Sequence, residues 1–215
     1  MVYCTLFYCC VIFRSLNLNG VLFCGVDVLN RFLISSVLLL TMLLGCVAYP
    51  TTRSYFEPNS EDGVLTATSG CGYHTTKLDS LVREIGDISI QVIPEYLEAD
   101  NLKVTIFIKR ENDYVSFEPE SVVLDAKSVT TSGDENQTQL KASDITSSLQ
   151  VPTKSTPYYG QWYVLTFPVA ADELNGISIT LSVESLALGE NSTNDLVFRF
   201  TKIAKQDFYY NSINC

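Results

Sequence analysis

The chain has 215 residues and a formal net charge of −10, and this length suits one or two domains. Of its 14 basic and 24 acidic residues, only Arg14, Arg31 and Asp27 precede Cys46, so the rest of the chain carries a net charge of −11. An acidic excess of this kind argues against nucleic-acid binding, which requires a basic surface. We therefore expect no nucleic-acid partner.

The first segment, residues 1–27, contains four cysteines among apolar residues and a single basic residue. Neither a helical period nor a strand period runs through it. An export signal normally begins a few residues before its positive charge, whereas here 30 residues precede Arg31. We interpret 1–27 as a non-native extension produced by a mis-assigned start, with translation beginning near Val28. A genuine first membrane segment is the alternative.

The next segment, residues 28–45, has the organisation of an export signal. Arg31 precedes the mostly apolar run Phe32–Leu44, and Gly45 is a small residue at its end. An export signal requires a positive start, about 7–15 apolar residues and a small residue at the cleavage site. The run is shorter than the roughly 20 apolar residues that span a bilayer. Export of the following domain is therefore expected, with an ordinary cleaved signal or an uncleaved anchor helix as alternatives.

The four residues Leu43-Leu44-Gly45-Cys46 close this run and resemble the lipobox of bacterial lipoproteins. That pattern has Leu first, a small or aliphatic residue second, Gly or Ala third, and an invariant Cys. The resemblance implies cleavage after Gly45, lipid attachment (palmitate or a related acyl chain) at the Cys46 sulfur, and hence a membrane as partner. Because Val47 rather than Asp follows the cysteine, the resemblance implies residence in the outer membrane where the host has two membranes.

Residues 46–70 are rich in Thr, Ser, Pro and acidic residues and show little periodicity. Such a composition buries too little apolar surface to become ordered by itself. We therefore predict a lipidated flexible tether between the anchor and the folded domain. Within this segment, only Val64–Ala67 has the pattern of a short edge strand.

A short helix is predicted over Thr75–Ile85, before the main series of strands. Four apolar residues from Leu78 onward recur at i, i+3, i+4 and i+7, which places them on one face of a helix. Thr76 would cap the start of this helix, and Gly86 would end it.

Between Ile88 and Tyr210 the apolar residues recur with a period of two, which is typical of half-buried strands. Gln161–Val169 is the clearest strand, Asn175-Gly176 is a tight-turn signal, and the polar segment Thr130–Ser148 is predicted as a long hairpin or an exposed loop. About seven to nine strands separated by turns indicate an all-β domain, an antiparallel β-sandwich of immunoglobulin-like architecture, over residues 71–215. The Cys-Trp-Cys signature of antibody domains is absent, so the likeness is one of architecture and implies no function.

Three cysteines follow Gly45, namely Cys46, Cys71 and Cys215. If Cys46 carries lipid, the other two can pair and no odd thiol is left. Oxidising compartments outside the cytoplasm permit such a bond. We predict a disulfide between Cys71 and Cys215, with two unpaired thiols as the alternative.

No catalytic residue, metal site or cofactor is predicted. His74 is the only histidine in the chain, and it lacks around it the three or four ligands that zinc sites use. No serine lies in a Gly-x-Ser-x-Gly elbow. Glu118 and Glu120 flank a proline, where solvated loop charges explain them as well as a glycosidase pair or a calcium site does. We therefore expect that the protein is not an enzyme.

The aromatic cluster around Trp162 provides the binding candidates. Tyr and Trp anchor many protein interfaces, and they also form carbohydrate platforms. Tyr158 and Tyr159 precede the strand and are candidates for exposure, while Trp162 is a candidate that the strand pattern places more readily in the core. We expect a membrane-anchored envelope lipoprotein whose sandwich is a binding or structural module for a protein or carbohydrate partner.

Two other functions stay open at this point. One is a hydrolase that acts on envelope polymers. The other is a secreted or membrane-anchored glycoprotein of a eukaryote, because Asn136-Gln137-Thr138 and Asn191-Ser192-Thr193 are formal glycosylation sequons.

Overall fold

The chain divides into two compact units, Met1–Cys46 and Val47–Cys215. In the first unit only residues 34–36 are described, and they are helical. No helix in the described part of the chain is long and apolar enough to cross a membrane. A computed structural model of the whole chain describes residues 34–36, 48–68, 73–129, 135–182, 184–186 and 195–210.

The second unit consists of strands in two sheets, and every strand pair that the described residues form is antiparallel. One sheet has five strands in the order β1-β11-β10-β6-β7, and the other has six in the order β2-β3-β4-β5-β9-β8. The predicted antiparallel β-sandwich is therefore confirmed. The strands are β1 (Ala48–Pro58), β2 (Val64–Ala67), β3 (Leu78–Ile85), β4 (Ile88–Glu95), β5 (Asn101–Arg110), β6 (Val123–Val129), β7 (Glu135–Lys141), β8 (Asp144–Gln150), β9 (Tyr159–Ala170), β10 (Gly176–Leu181) and β11 (Leu196–Tyr210).

The core lies between the two sheets and follows directly from the alternation in the sequence. Side chains of successive strand residues point to opposite faces, so every second apolar residue enters the core. In β5, which lies between β4 and β9, the inward residues are fully buried. Their counterparts on the five-stranded sheet belong to β6, β10 and β11. The fully buried side chains of these four strands include Leu102, Val104, Ile106, Ile108, Leu124, Ile179 and Phe198.

The predicted flexible tether over 46–70 is wrong for the part that the structure describes. β1 pairs with β11 along all of its 11 residues, and Phe56 within it is fully buried. Asp62 accepts hydrogen bonds from the backbone and side chain of Arg199. The expected edge strand at Val64–Ala67 is confirmed as β2. Composition predicts a flexible segment because β1 contributes few apolar side chains to the core. The strand is ordered instead by the hydrogen bonds that its backbone forms with β11.

The predicted helix over Thr75–Ile85 is also wrong, because the segment from Leu78 onward is strand β3. Two polar residues, Asp79 and Ser80, are buried in this strand. The carboxylate of Asp79 accepts hydrogen bonds from the N–H and hydroxyl of Thr68 at 3.0 and 2.6 Å. These buried polar groups interrupt the strand period and leave a helical one by coincidence. Gly86, at φ +60°, lies in the β3–β4 turn.

The described part of the polar segment, residues 135–148, is divided between the two sheets, whereas the sequence predicts a long hairpin or an exposed loop over Thr130–Ser148. β7 pairs with β6 in the five-stranded sheet, and β8 pairs with β9 in the six-stranded sheet. Both are edge strands, and most of their side chains are exposed. An edge strand at the rim of a sandwich buries little on either face, so its sequence lacks the apolar alternation that identifies a strand.

Candidate binding surface

The three aromatic candidates lie on β9 or directly before it, and the strand divides them between its two faces. Trp162 is half-buried on the outer face, whereas Tyr163, Leu165 and Phe167 point into the core. The prediction of a core position for Trp162 is therefore wrong. The alternation was ambiguous because Gln161, a polar residue, occupies an inward position and is only 4% exposed.

An aromatic surface forms on the outer face of the six-stranded sheet. We term it the outer aromatic patch, and it comprises Phe107, Lys109, Tyr158, Gly160 and Trp162. Trp162 is paired with Phe107 across β5 and β9, and the two rings stack with centroids 4.4 Å apart and planes inclined by 23°. Tyr158 approaches Phe107 edge-on at 6.3 Å. Lys109 Nζ lies 5.7 Å from the Tyr158 ring centroid, which adds a cation–π contact.

Gly160 determines where the indole lies. A Cβ at Gly160 would be 2.8 and 2.9 Å from the Cζ3 and Cη2 atoms of Trp162, and 3.2 Å from Cε2 of Phe107. The indole therefore folds back over the strand into space that only a glycine leaves open. An aromatic ring that covers a strand glycine in this way helps to fix the register of the sheet. It also holds the ring in a defined position outside the core.

Tyr159 lies on the opposite face of β9 from the outer aromatic patch. Its ring packs edge-on against Tyr114, with centroids 4.9 Å apart. The neighbouring inward residue, Gln161, donates to the Val115 carbonyl and to the Tyr163 hydroxyl, both at 2.9 Å, and accepts from the Val115 N–H at 2.7 Å. Burial raises the pKa of Tyr163. These contacts join β9 to the loop that follows β5. Because Tyr159 lies on this inward face, it is not part of the outer aromatic patch.

The border of the patch is polar. β8 places Ser148 opposite Trp162 and Gln150 opposite Gly160. Hydroxyl and amide groups therefore adjoin the stacked rings on the side that leads to the free edge of the sheet. Nowhere in the described ranges do three or more metal-ligating side chains gather. The surface combines apolar stacking with hydrogen bonding, which suits binding.

A second cluster was not predicted from the sequence. Asp207 accepts hydrogen bonds from Arg53 Nη1 at 3.1 Å, from the Thr75 hydroxyl at 2.7 Å and from the Phe208 N–H at 2.7 Å. Burial by itself would raise the pKa of Asp207, but the hydrogen bonds from Thr75, Phe208 and Arg53 outweigh it and hold the pKa at about 2. Sequence reasoning missed this cluster because Arg53 and Asp207 are 154 residues apart.

Cys46, Cys71 and Cys215 lie outside the described residues. The lipid attachment and the disulfide therefore stay predictions. The nearest described contact is an antiparallel bridge between Tyr73 and Tyr209. Cys71 precedes this bridge by 2 residues and Cys215 follows it by 6, so chain length alone permits the two sulfurs to meet.

Comparison with known proteins gives no relative for this chain. No protein-family model matches it, and neither a curated protein nor a solved structure matches it. The role of each residue must therefore be argued from its own surroundings.

Proposed function

We propose that the protein is a membrane-anchored envelope lipoprotein whose β-sandwich binds its partner through the outer aromatic patch, and that it is not an enzyme. The stacked pair of Trp162 and Phe107 carries this proposal. Neither residue belongs to the core between the sheets. The solvent face of an antiparallel sheet is normally polar, so two stacked aromatic rings that stay half-exposed on that face favour an interaction site.

The chemistry of the patch favours an envelope carbohydrate as the ligand. A sugar ring has an apolar C–H face that can lie on an indole or phenyl ring, and it has hydroxyl groups at its rim. Ser148 and Gln150 border the rings and can hydrogen-bond those hydroxyls. Lys109 can pair with an anionic substituent of the glycan.

The anchor would hold the domain that carries this patch in the cell envelope. An acyl chain on Cys46 is the proposed anchor, and Val47 after it supports outer-membrane residence. The net charge of −11 after residue 45 favours solubility of the exported domain and gives no basis for binding nucleic acid.

Trp162 is the only tryptophan in the chain, so its fluorescence reports on the outer aromatic patch alone. We expect soluble glycan fragments from the host envelope to change the Trp162 emission saturably when they are titrated into the purified protein. Phe107→Ala and Lys109→Ala should weaken this binding. Val164→Ala is the matched control, because Val164 is also half-buried on the outer face of β9 but lies outside the patch.

Two results would contradict the proposal that the ligand is a glycan. The first is an emission spectrum that no envelope glycan changes. The second is binding that Phe107→Ala and Val164→Ala weaken equally. An envelope protein captured by the wild type and lost with Phe107→Ala would instead identify a protein partner at the same patch.

A further inference from the structure

We infer that the end of the sandwich where β1 begins and β11 finishes lies in the interfacial layer of the membrane that holds the anchor. We term this end the tyrosine tip, and it comprises Tyr49, Pro50, Tyr73, Phe208 and Tyr209. The inference rests on the membrane anchoring in the proposed function. Beyond that anchoring, it identifies the part of the domain that contacts lipid.

Three tyrosines form a row on one face of the tip. Tyr49 is paired with Tyr209 in the β1–β11 ladder, and Tyr73 bridges Tyr209 from the other side. The ring centroids of Tyr49 and Tyr209 are 5.3 Å apart, and those of Tyr73 and Tyr209 are 5.0 Å apart. Tyr49 is 46% exposed. Tyr and Trp are the residues that concentrate at the level of lipid headgroups, since each has an apolar body and a polar end.

The opposite face of the tip is also apolar. Pro50 and Phe208 are paired, and because successive strand residues alternate, both point away from the tyrosine row. Phe208 is 51% exposed. A protein surface packed against one face would leave the other in water. End-on entry into the interfacial layer covers both faces at once.

The contacts beneath the tip hold it in shape. The Arg53 guanidinium lies 3.6 Å from the ring centroid of Tyr73, and it donates to the Thr75 carbonyl at 3.0 Å and to Asp207 at 3.1 Å. The His74 N–H donates to the Phe208 carbonyl at 2.9 Å. The aromatic side chains are therefore preorganised in the absence of lipid, which lowers the entropic cost of binding to the membrane.

Chain length brings the tip close to the membrane. β1 begins at Ala48, which is 2 residues after Cys46. An extended chain spans at most about 3.6 Å per residue. An acyl chain on Cys46 would therefore hold the start of β1 within roughly 7 Å of the lipid.

Charge favours the same orientation. Residues 48–53, 73–75 and 205–210 contain one arginine, one lysine, one histidine and one acidic residue. The acidic one, Asp207, is paired with Arg53 at 3.1 Å. The acidic excess thus lies elsewhere in the domain, where an anionic membrane surface would repel it. The tyrosine tip itself carries little net charge for such a surface to repel.

The test uses the full chain with its anchor, reconstituted in phosphatidylethanolamine–phosphatidylglycerol vesicles that contain brominated acyl chains as quenchers. In a Trp162→Phe background, Phe208→Trp places the only indole at the tip. Leu149→Trp is the matched control, because Leu149 is an apolar residue on β8 that is 63% exposed. We expect emission from the Phe208→Trp variant to shift to the blue and to be quenched, and emission from the Leu149→Trp variant to do neither. Unchanged melting of both variants confirms that they fold.

Flotation of the same vesicles separates the possible failures. Protein that floats without quenching at position 208 overturns the inference and leaves the anchor standing. Equal quenching in both variants also overturns it, because lipid contact would then not be confined to the tip. If the protein does not float, both the lipid anchor and the inference are contradicted. The proposal that the outer aromatic patch binds a glycan would be unaffected by that result.

Discussion

Asp207 joins three separate parts of the chain at one carboxylate. Its partners are Arg53 on β1, Thr75 in the segment before β3, and the Phe208 N–H on β11. Hydrogen bonds to a charged carboxylate stabilise the ionised form, so they lower its pKa. Because the pKa falls only in the folded protein, the contribution of this residue to stability depends on pH.

We expect Asp207→Asn to destabilise the protein near neutral pH and to have little effect in strong acid. The folded pKa of about 2 lies below the ordinary value of 3.8. The stabilisation is therefore fully present above pH 3.8 and is lost as the pH falls through about 2. Urea unfolding of the wild type and the variant across this pH range measures the effect.

Asp87→Asn is the control for this experiment. Asp87 pairs with Arg110 at 2.7 Å, but both side chains are substantially exposed, and exposed pairs contribute little. A destabilisation by Asp207→Asn that is the same at every pH would contradict the account, because the residue would then act through packing rather than charge.

Gly160→Ala should displace the indole of Trp162. The added Cβ would lie 2.8 Å from the ring, and overpacking of this kind costs about 1–3 kcal/mol. We expect lower stability together with a red shift of the Trp162 emission. Gly86→Ala is the comparison: a Cβ at Gly86 would meet nothing within 4 Å, but its φ of +60° costs about 1–2 kcal/mol in backbone strain.

The two glycine variants should therefore differ in fluorescence even where their stabilities are similar. An unchanged emission spectrum in Gly160→Ala would show that the indole does not lie over this glycine. A spectrum changed equally in both variants would show that emission follows general loosening of the fold.

The candidate residues of the binding surface could be predicted from the sequence, but their faces could not. Tyr158, Tyr159 and Trp162 are recognisable because aromatic residues are clustered there. The sequence does not show which residues of β9 point inward, because the polar residue Gln161 occupies an inward position. Its side-chain amide is buried there through hydrogen bonds with the backbone of Val115. Phe107 is 55 residues away in the chain and joins the patch only through the pairing of β5 with β9.

At the scale of elements, β1 is the strand whose role differs most from expectation. It forms an edge of the five-stranded sheet, yet it carries Phe56, which is fully buried and packs edge-on against Tyr96 at 6.0 Å. Residues 48–68, for which composition predicts a flexible tether, are therefore part of the fold. A lipid at Cys46 would have almost no free chain before the first strand.

Phe56→Ala should destabilise the domain by about 3–5 kcal/mol, because truncating a buried aromatic side chain leaves a cavity. Val64→Ala, on a neighbouring segment with a side chain 65% exposed, should change stability by no more than about 0.5 kcal/mol. Chemical denaturation of both variants provides the comparison. A loss below about 1 kcal/mol for Phe56→Ala would contradict a folded β1 and restore the tether that composition predicts.

Strands were predictable where apolar alternation was unbroken. β5, β9 and β10 show it clearly, and each is a strand with its alternate residues buried. The sequence of β3 has a helical pattern because two polar residues, Asp79 and Ser80, are buried in it through hydrogen bonds. Interactions of this kind join residues far apart in the chain, so local patterns do not reveal them.

At the scale of the whole domain, the described start and end of the fold are paired. β1 and β11 form one antiparallel ladder, and Tyr73 bridges Tyr209 beside it. This arrangement supports the prediction of a disulfide between Cys71 and Cys215, because the chain leading to each cysteine leaves from the same place. Such a bond would close a loop of roughly 145 residues, worth on the order of 5 kcal/mol in the chain-entropy model.

Peptide mapping of the purified, unreduced protein by mass spectrometry measures this directly. We expect the peptides that contain Cys71 and Cys215 to be linked, and to separate only after reduction. The melting temperature should fall on reduction, and Cys71→Ser should reproduce that fall. Free alkylation of both cysteines before reduction would exclude the bond.

Export and lipidation at Cys46 underlie both the proposed placement of the domain in the envelope and the proposed lipid contact of the tyrosine tip. The direct measurement is processing and detergent-phase partition of the wild type and of Cys46→Ser, with Cys71→Ser as the control. We predict that the wild type and Cys71→Ser yield a lipid-modified product that begins at Cys46 and enters the detergent phase, whereas Cys46→Ser stays unprocessed. Cys46→Ser that is processed and attached to the membrane like the wild type would contradict the account.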